Sequence, residues 1–282
     1  MKPVLGIETS CDETAAALMD ASGAVLAEAV LTQRIEHQPY GGVVPEIAAR
    51  AHLHYLPGLI QQVLRDASLG FGDLGAIAAT AGPGLIGGLI VGTQLAKGIA
   101  LARDLPFLAI NHLEAHALTA RIPGLIEGGA SFPYLLFLLS GGHSQCLAVT
   151  GVGRHRRLGG TIDDAAGEAF DKVAKQLGLG WPGGPALEKL AAEGNPNAVA
   201  LPRPMLRRPG CDLSFSGLKT AVVQAIARLQ AAAPDGAGLG HMQAANLAAS
   251  FQQAVTDVLA DRARHAMAMM RAAYPDARLL VV

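Results

Sequence analysis

Charge is scarce in this sequence. Only 16% of its 282 residues are charged, and they cancel to a net −1. A chain this close to neutral has no overall attraction for nucleic acid, so any RNA contact must be local. Two basic clusters, Arg154, Arg156 and Arg157 and then Arg203, Arg207 and Arg208, could serve, although solvated loops explain each as simply. Cysteine is also sparse. Cys11, Cys146 and Cys211 lie far apart in the chain with no CxxC pairing, which excludes a disulfide framework and fits the reduced thiols of a cytoplasmic protein. No GxxxxGK[ST] occurs, which excludes a P-loop nucleotidase. Glu8 and Asp12 interrupt the short apolar start, so no secretory signal is expected there. Leu74 to Ala96 lacks charge over a bilayer-spanning length, but Gly82-Pro83-Gly84 breaks it. It reads as strand, turn and buried helix rather than a membrane span. Aromatics make up only 4%, yet 51% of the chain is hydrophobic and 34 residues are glycine. That balance fits a well-buried α/β core with tight loops, not disorder.

The pattern along the chain is strand, polar turn, strand, hairpin at Gly23, and a third strand over VLAEAVL. A helix is expected from Pro45 to Ala67, with Ile47, Leu53, Leu56, Ile60, Val63 and Leu64 on its apolar face. A strand (Ala76 to Thr80), the GPG turn, a helix (Ile86 to Ala102) and the strand PFLAINH follow. Such alternation predicts a mainly parallel sheet. At Pro133 the pattern restarts: FPYLLFLLSGGHSQCLAVTGVG repeats strand, glycine turn, strand, so the halves look duplicated. Residues 151–250 read as irregular, with helices over 164–177, 185–193, 217–231 and 242–273. The closing RLLVV reads as the start of a buried strand, which suggests a C-terminally truncated chain. Two domains are expected, 1–110 and 111–282, the second with a helical insertion and incomplete at its C-terminus.

Several motifs could carry chemistry. His112 and His116 share one helix face, able to grip one metal ion, or else to cap and pack. HLEAH is neither HExxH nor HxxEH, so a zinc protease is disfavoured. Ser140, Gly141 and Gly142 could present N–H groups to a phosphate, or form a plain hairpin turn. Glu8, Thr9, Asp12 and Glu13 line the first polar turn. Gly82 to Gly87 satisfies GxGxxG, but the acidic residue required after the next strand is absent, so a dinucleotide fold is disfavoured. Asp163, Asp164, Glu168 and Asp171 form either a solvated acidic row or a site for a ribose hydroxyl. Lys219, in the first turn of a helix, opposes the helix dipole and needs an anion to explain it.

In order, GIETSCDET, YGGVVPEIAAR, TAGPGL, HLEAH, LSGGHSQ, IDDAAGEAFDKVAK, WPGGP and LSFSGLKT span Gly6 to Thr220. Together they closely resemble the tRNA N6-adenosine threonylcarbamoyltransferases, once labelled O-sialoglycoprotein endopeptidases. The resemblance implies the duplicated actin-like fold shared with sugar kinases. It implies transfer of threonylcarbamoyl from threonylcarbamoyl-AMP to the N6 amine of adenosine 37 in tRNAs reading codons that begin with adenine. His112 and His116 would be two ligands of one divalent ion, Fe2+ ahead of Zn2+. Leu138, Leu139, Ser140, Gly141 and Gly142 would line the substrate phosphate, Asp171 its ribose, and Gly184 would close the pocket. Glu13 is the candidate general base or tRNA contact. Implied partners are tRNA, a paralogous scaffold subunit and a small ATPase, in the cytoplasm and without a membrane. The family's nucleotide-binding asparagine and third metal ligand, an aspartate, follow the strand matching RLLVV, so weakened nucleotide binding and an incomplete metal site are expected here. The alternative is a non-catalytic nucleotide-binding scaffold of the same fold, although such a paralogue is expected to lack the histidine pair. A sugar or acetate kinase of that fold is disfavoured because the pair has no role there.

Overall fold

The computed structural model describes residues 2–127, 129–232 and 238–282. They form two compact units, Met1–Ala130 and Ser131–Val282. The division falls later than the 110/111 boundary read from the sequence, because the helix carrying the histidine pair packs on strands of the first unit.

In the first unit, β1 (Val4–Glu8), β2 (Glu13–Met19) and β3 (Val25–Thr32) make an antiparallel meander. β4 (Ala76–Gly82) and β5 (Phe107–Asn111) lie parallel to β1, giving the order β3-β2-β1-β4-β5. Alternation sends Leu5, Ile7, Ala16 and Leu18 to one face, where they meet Leu56, Ile60 and Val63 of α2 (Pro45–Asp66). α1 is a single turn, Arg34–His37. Pro45 sits in the first turn of α2, where its missing N–H costs nothing. The buried stripe of α2 runs through Ala48, His52, Leu56, Leu59 and Val63, whereas Leu53, assigned to it from the sequence, is exposed. α3 (Ile86–Arg103) buries Gly88, Leu89, Gly92 and Ala96 on one side and exposes Ile86 and Ile90 on the other, so it is not buried all round.

The second unit repeats the plan. β6 (Tyr134–Leu139), β7 (Ser144–Gly151) and β8 (Arg154–Gly160) form a meander, and β9 (Leu280–Val281) runs parallel to β6. Its order, β8-β7-β6-β9, matches β3-β2-β1-β4 in position and direction, the structural counterpart of the duplication read from the turns. Between β8 and β9 come α5 (Ala166–Gln176), α6 (Gly183–Ala191), α7 (Ser216–Ala231) and α8 (His241–Ala273). They bury Ala169, Val173, Leu187, Val222 and Phe251 against Leu135, Phe137, Cys146 and Ala148.

Three expectations need correcting. Among the described residues, three strand pairs are parallel and four antiparallel, because each half opens on two hairpins before any crossover. Residues 154–160 are a strand, not irregular loop: RHRR lacks apolar alternation because β8 is an exposed edge. β9 is partly exposed rather than buried. Cys146 and Cys211, distant in sequence, meet in the core of this unit as free thiols, and the Cys146 thiol is pushed far up by its hydrogen bond to Cys211 and by burial. No helix among the described residues is long and apolar enough to cross a membrane; the uncharged run divides into β4, a turn and α3.

Candidate functional site

In the first unit the site gathers around the turn between β1 and β2 and the start of α4 (His112–Thr119). α4 begins directly at the end of β5, because the Asn111 side chain accepts hydrogen bonds from the N–H groups of Leu113 (2.9 Å) and Glu114 (3.2 Å). This cap fixes the helix register and so places His112 and His116 on one face. Their Nε2 atoms approach to 3.1 Å, with the rings nearly perpendicular at 85°. Two ligands of a tetrahedral ion with bonds of about 2.0–2.1 Å sit about 3.3 Å apart, so the pair fits as half of such a donor set. Among the described residues no third histidine, cysteine, aspartate or glutamate completes a cluster with them.

The other ring nitrogen of His112 points back to β1. His112 Nδ1 lies 3.1 Å from Ser10 Oγ and 3.3 Å from Glu8 Oε2. Glu8 is anchored in turn: Thr80 Oγ1 on β4 donates to Oε2 at 2.5 Å, and the Ser10 N–H donates to Oε1. Burial alone would raise the Glu8 pKa, but the bonds from His112, Ser10 and Thr80 outweigh it and hold the carboxyl at about 2. Behind the turn, His52 Nε2 sits 3.0 Å from the Cys11 carbonyl and its Nδ1 2.8 Å from Thr14 Oγ1. Burial pushes the His52 pKa down, so the ring is a neutral spacer under the turn.

The GxGxxG-like stretch serves packing, not a dinucleotide. A Cβ on Gly84 would lie 2.6 Å from the Ser10 carbonyl oxygen. One on Gly88 would lie 2.2 Å from that of Thr9, and one on Gly92 2.2 Å from Thr9 Oγ1. The glycines let α3 press against the β1–β2 turn, and Leu85 N–H donates to Ser10 O at 2.7 Å. Glu13 starts β2 and is exposed, with no hydrogen-bond or ion-pair partner for its carboxylate among the described residues.

In the second unit, Leu138 and Leu139 end β6 and Ser140 to Gly142 make the turn into β7. Ser140 N–H donates to the His143 carbonyl at 2.8 Å, and Ser140 Oγ accepts from His143 N–H at 3.0 Å. α5 rides on this turn: a Cβ on Gly167 would lie 2.8 Å from Gly141 Cα. Asp171 is one helical turn further along α5, on the same face. Its Oδ1 accepts from Gly183 N–H at 2.7 Å, which ties in the segment carrying Gly184. α5 thus touches the Ser140–Gly141 turn through Gly167 and the start of α6 through Asp171. Gly141, Gly142 and Gly184 have neither positive φ nor a neighbour within 4 Å of a Cβ, so the fold itself does not require glycine there.

The remaining acids are structural. Asp163 accepts from Ser214 Oγ (2.6 Å), Phe215 N–H (2.8 Å), Ser216 N–H (3.3 Å) and Ser216 Oγ (2.8 Å), capping α7 from a distance. Asp164 holds Lys172 at 2.7 Å and Lys219 at 3.2 Å, so the anion that Lys219 requires is Asp164. Arg203 is bound to Asp257 at 2.9 Å rather than solvated. Glu8 was visible in the sequence only as one of several turn acids, and Thr80 and His52 carried no signal beyond strand and helix periodicity.

A family model described as TsaD: tRNA N6-adenosine threonylcarbamoyltransferase matches residues 24–281. The chain is 66% identical to a relative of that name from Granulibacter bethesdensis, over 99% of this chain and 75% of that one. Relatives of the same name from Gluconobacter oxydans and Rhodospirillum rubrum are 59% and 58% identical, over 100% and 99% of this chain and 75% and 76% of theirs. Component A of the (R)-2-hydroxyglutaryl-CoA dehydratase of Acidaminococcus fermentans superposes with a TM-score of 0.50 at 16% identity, over 94% of this chain and 79% of that one. That likeness concerns the fold, which is the duplicated actin-like one.

Proposed function

The chain belongs to the tRNA N6-adenosine threonylcarbamoyltransferase family, a family of transferases, and from that premise we propose the reaction and the residues that carry it. The N6 amine of adenosine 37, in tRNAs reading codons that begin with adenine, attacks the carbamoyl carbon of threonylcarbamoyl-AMP. A new N–C bond forms, the bond from that carbon to the phosphate oxygen breaks, the amine loses a proton, and AMP leaves.

The observation that carries this reading is the histidine pair, whose Nε2 atoms converge to 3.1 Å while the far side of His112 is tied to Glu8. His112 and His116 would hold a divalent ion, iron or zinc, which would supply Lewis-acid polarisation of the carbamoyl group. The open glycines 141 and 142 support a phosphate seat: a Cβ at either position would meet nothing within 4 Å, so glycine there suits close approach of a ligand to the backbone. Leu138 and Leu139 back that seat from β6, Asp171 takes the ribose hydroxyls, and Gly184 leaves room beside them. Exposed Glu13 is free to accept the proton that the amine loses. The amine is a weak nucleophile, so much of the rate comes from orientation. A paralogous scaffold subunit and a small ATPase act with the chain.

The test is incorporation of labelled threonine into unmodified tRNA, with bicarbonate, ATP and the companion subunits present. Incorporation that falls at least about 100-fold in His112→Ala is the expected result, the scale at which loss of a catalytic group is felt. Equal incorporation by wild type and His112→Ala overturns the role of the pair, and none by wild type overturns the transfer itself.

A further inference from the structure

Glu8 is more than a turn acid. Both of its oxygens are committed, Oε1 to the Ser10 N–H and Oε2 to Thr80 Oγ1 at 2.5 Å, so neighbouring strands fix the carboxylate before His112 is considered. β1 and β4 are paired in register up to Ile7↔Ala79, which places Glu8, the last residue of β1, beside Thr80 on the neighbouring interior strand. The carboxylate then stands 3.3 Å from His112 Nδ1.

An ionised carboxylate can only accept hydrogen bonds, and the Ser10 hydroxyl, 3.1 Å from the same nitrogen, can also accept, so Glu8 favours the ring hydrogen on Nδ1. With the hydrogen on Nδ1, the lone pair of His112 lies on Nε2, the atom 3.1 Å from His116 Nε2. We infer that Glu8, anchored by Thr80, is the positioning residue of the histidine pair: it selects the His112 tautomer and ring orientation that present Nε2 to a divalent cation. The inference rests on the metal reading proposed above and extends it to residues remote in sequence. The competing account is that Glu8 only stabilises the β1–β2 turn through Ser10. The two accounts differ in what a neutral isostere does. Glu8→Gln keeps the shape and a donor–acceptor group for Ser10 and Thr80, but it removes the charge and the acceptor-only character that hold Nδ1–H.

The protein and its Glu8→Gln, Thr80→Val and His112→Ala variants are titrated with Co2+, read by its visible d–d absorption and by competition with a chelator. Metal-free melting temperatures are recorded in parallel. Wild type, with two histidines as its donors among the described residues, is expected to bind Co2+ weakly, and His112→Ala to lose the band. Glu8→Gln is expected to weaken Co2+ affinity about 10–100-fold, the range typical for loss of a carboxylate behind a metal-bound histidine, and to melt somewhat earlier because the bonds from Ser10 and Thr80 lose their charged acceptor. Thr80→Val, which leaves the carboxylate but removes its anchor, is expected to weaken binding less. Glu8→Gln binding as tightly as wild type, while His112→Ala fails, overturns the positioning role and leaves the histidine pair intact. His112→Ala binding as well as wild type, or no binding by wild type, overturns the metal reading and the inference with it. If Glu8→Gln melts too early to be titrated, Thr80→Val decides: weaker binding at an unchanged melting temperature supports the role, and unchanged affinity refutes it.

Discussion

Replacing Asp163 with alanine should destabilise the second unit by about 2 kcal/mol. α7 starts at Ser216 behind Phe215, whose side chain offers no cap, so its first N–H groups depend on a carboxylate 52 residues away in the chain. The variant removes a cap, at about 1 kcal/mol, and a negative charge from a helix N-terminus, at about 0.3–1 kcal/mol. The Ser214 and Ser216 hydroxyls return to water, and because Asp163 is exposed each adds only a few tenths of a kcal/mol. For a unit of this size the sum lowers the melting temperature by about 4–8 °C. Asp163→Asn, which keeps one acceptor oxygen for the Phe215 and Ser216 N–H groups but loses the charge and the second acceptor, should lose somewhat less than the alanine variant. The difference must also depend on pH. Partial burial pushes the Asp163 pKa up, but the bonds from Ser214, Phe215 and Ser216 prevail and hold it below its usual value. A depressed pKa in the folded state means that the stabilisation is complete above the unfolded value of about 3.9 and fades as pH falls through the folded one. Urea unfolding followed by circular dichroism, at neutral pH and in steps below about pH 4, measures this directly. A neutral-pH melting temperature within about 1 °C of wild type would refute the capping argument. So would a wild-type advantage that persists undiminished in acid.

Other consequences are as direct. Gly88→Ala puts a Cβ 2.2 Å from the Thr9 carbonyl and should cost about 1–3 kcal/mol in urea unfolding, whereas Gly98→Ala on the same helix meets nothing within 4 Å and should gain up to about 1 kcal/mol. Equal effects would show that the glycines of α3 are not there for close approach. Gly141→Ala should fold with wild-type stability yet bind AMP at least about tenfold more weakly, while Gly167→Ala, facing Gly141 Cα at 2.8 Å, should lose stability as well; calorimetry with AMP separates them. Of the three thiols only exposed Cys11 should react with an alkylating agent in the folded protein, and slowly, because partial burial and the Asp12 carboxylate push it up to about 12. Rapid labelling of one thiol, or labelling of three without denaturant, would contradict that.

Local periodicity made most of the elements readable. Leu5 and Ile7 alternate, α2 repeats every three to four residues, and Gly23 punctuates the β2–β3 hairpin with a φ of 87° that favours glycine. What failed was non-local. Strand direction is set by which connection crosses the sheet, which no window of sequence records, so the hairpin-rich meanders were taken for a parallel sheet. β8 escaped because an exposed edge strand needs no apolar face. The site divides in the same way. The spacing of His112 and His116 is a helix property and shows in five residues, whereas the Glu8–Thr80 and Glu8–His112 contacts join positions 72 and 104 residues apart.

The two halves also show why a glycine motif alone does not identify a ligand. The β1–β2 and β6–β7 turns occupy the same place in the repeated meander, and each is pressed by a glycine-bearing first turn of a helix: Gly88 of α3 on Thr9, Gly167 of α5 on Ser140 and Gly141. The helices are not equivalent in chain order, since α3 follows the fourth strand of its sheet and α5 the third of its own. The shared demand therefore comes from the turn, which must be clamped close to backbone, not from an inherited helix. A GxGxxG pattern meets that demand as readily as it meets a pyrophosphate. The distinction lies in whether a Cβ would strike the protein, as at Gly88, or open space, as at Gly141 and Gly142. By that criterion the first turn is packed against α3, and the second, clamped by Gly167, stays open at Gly141 and Gly142.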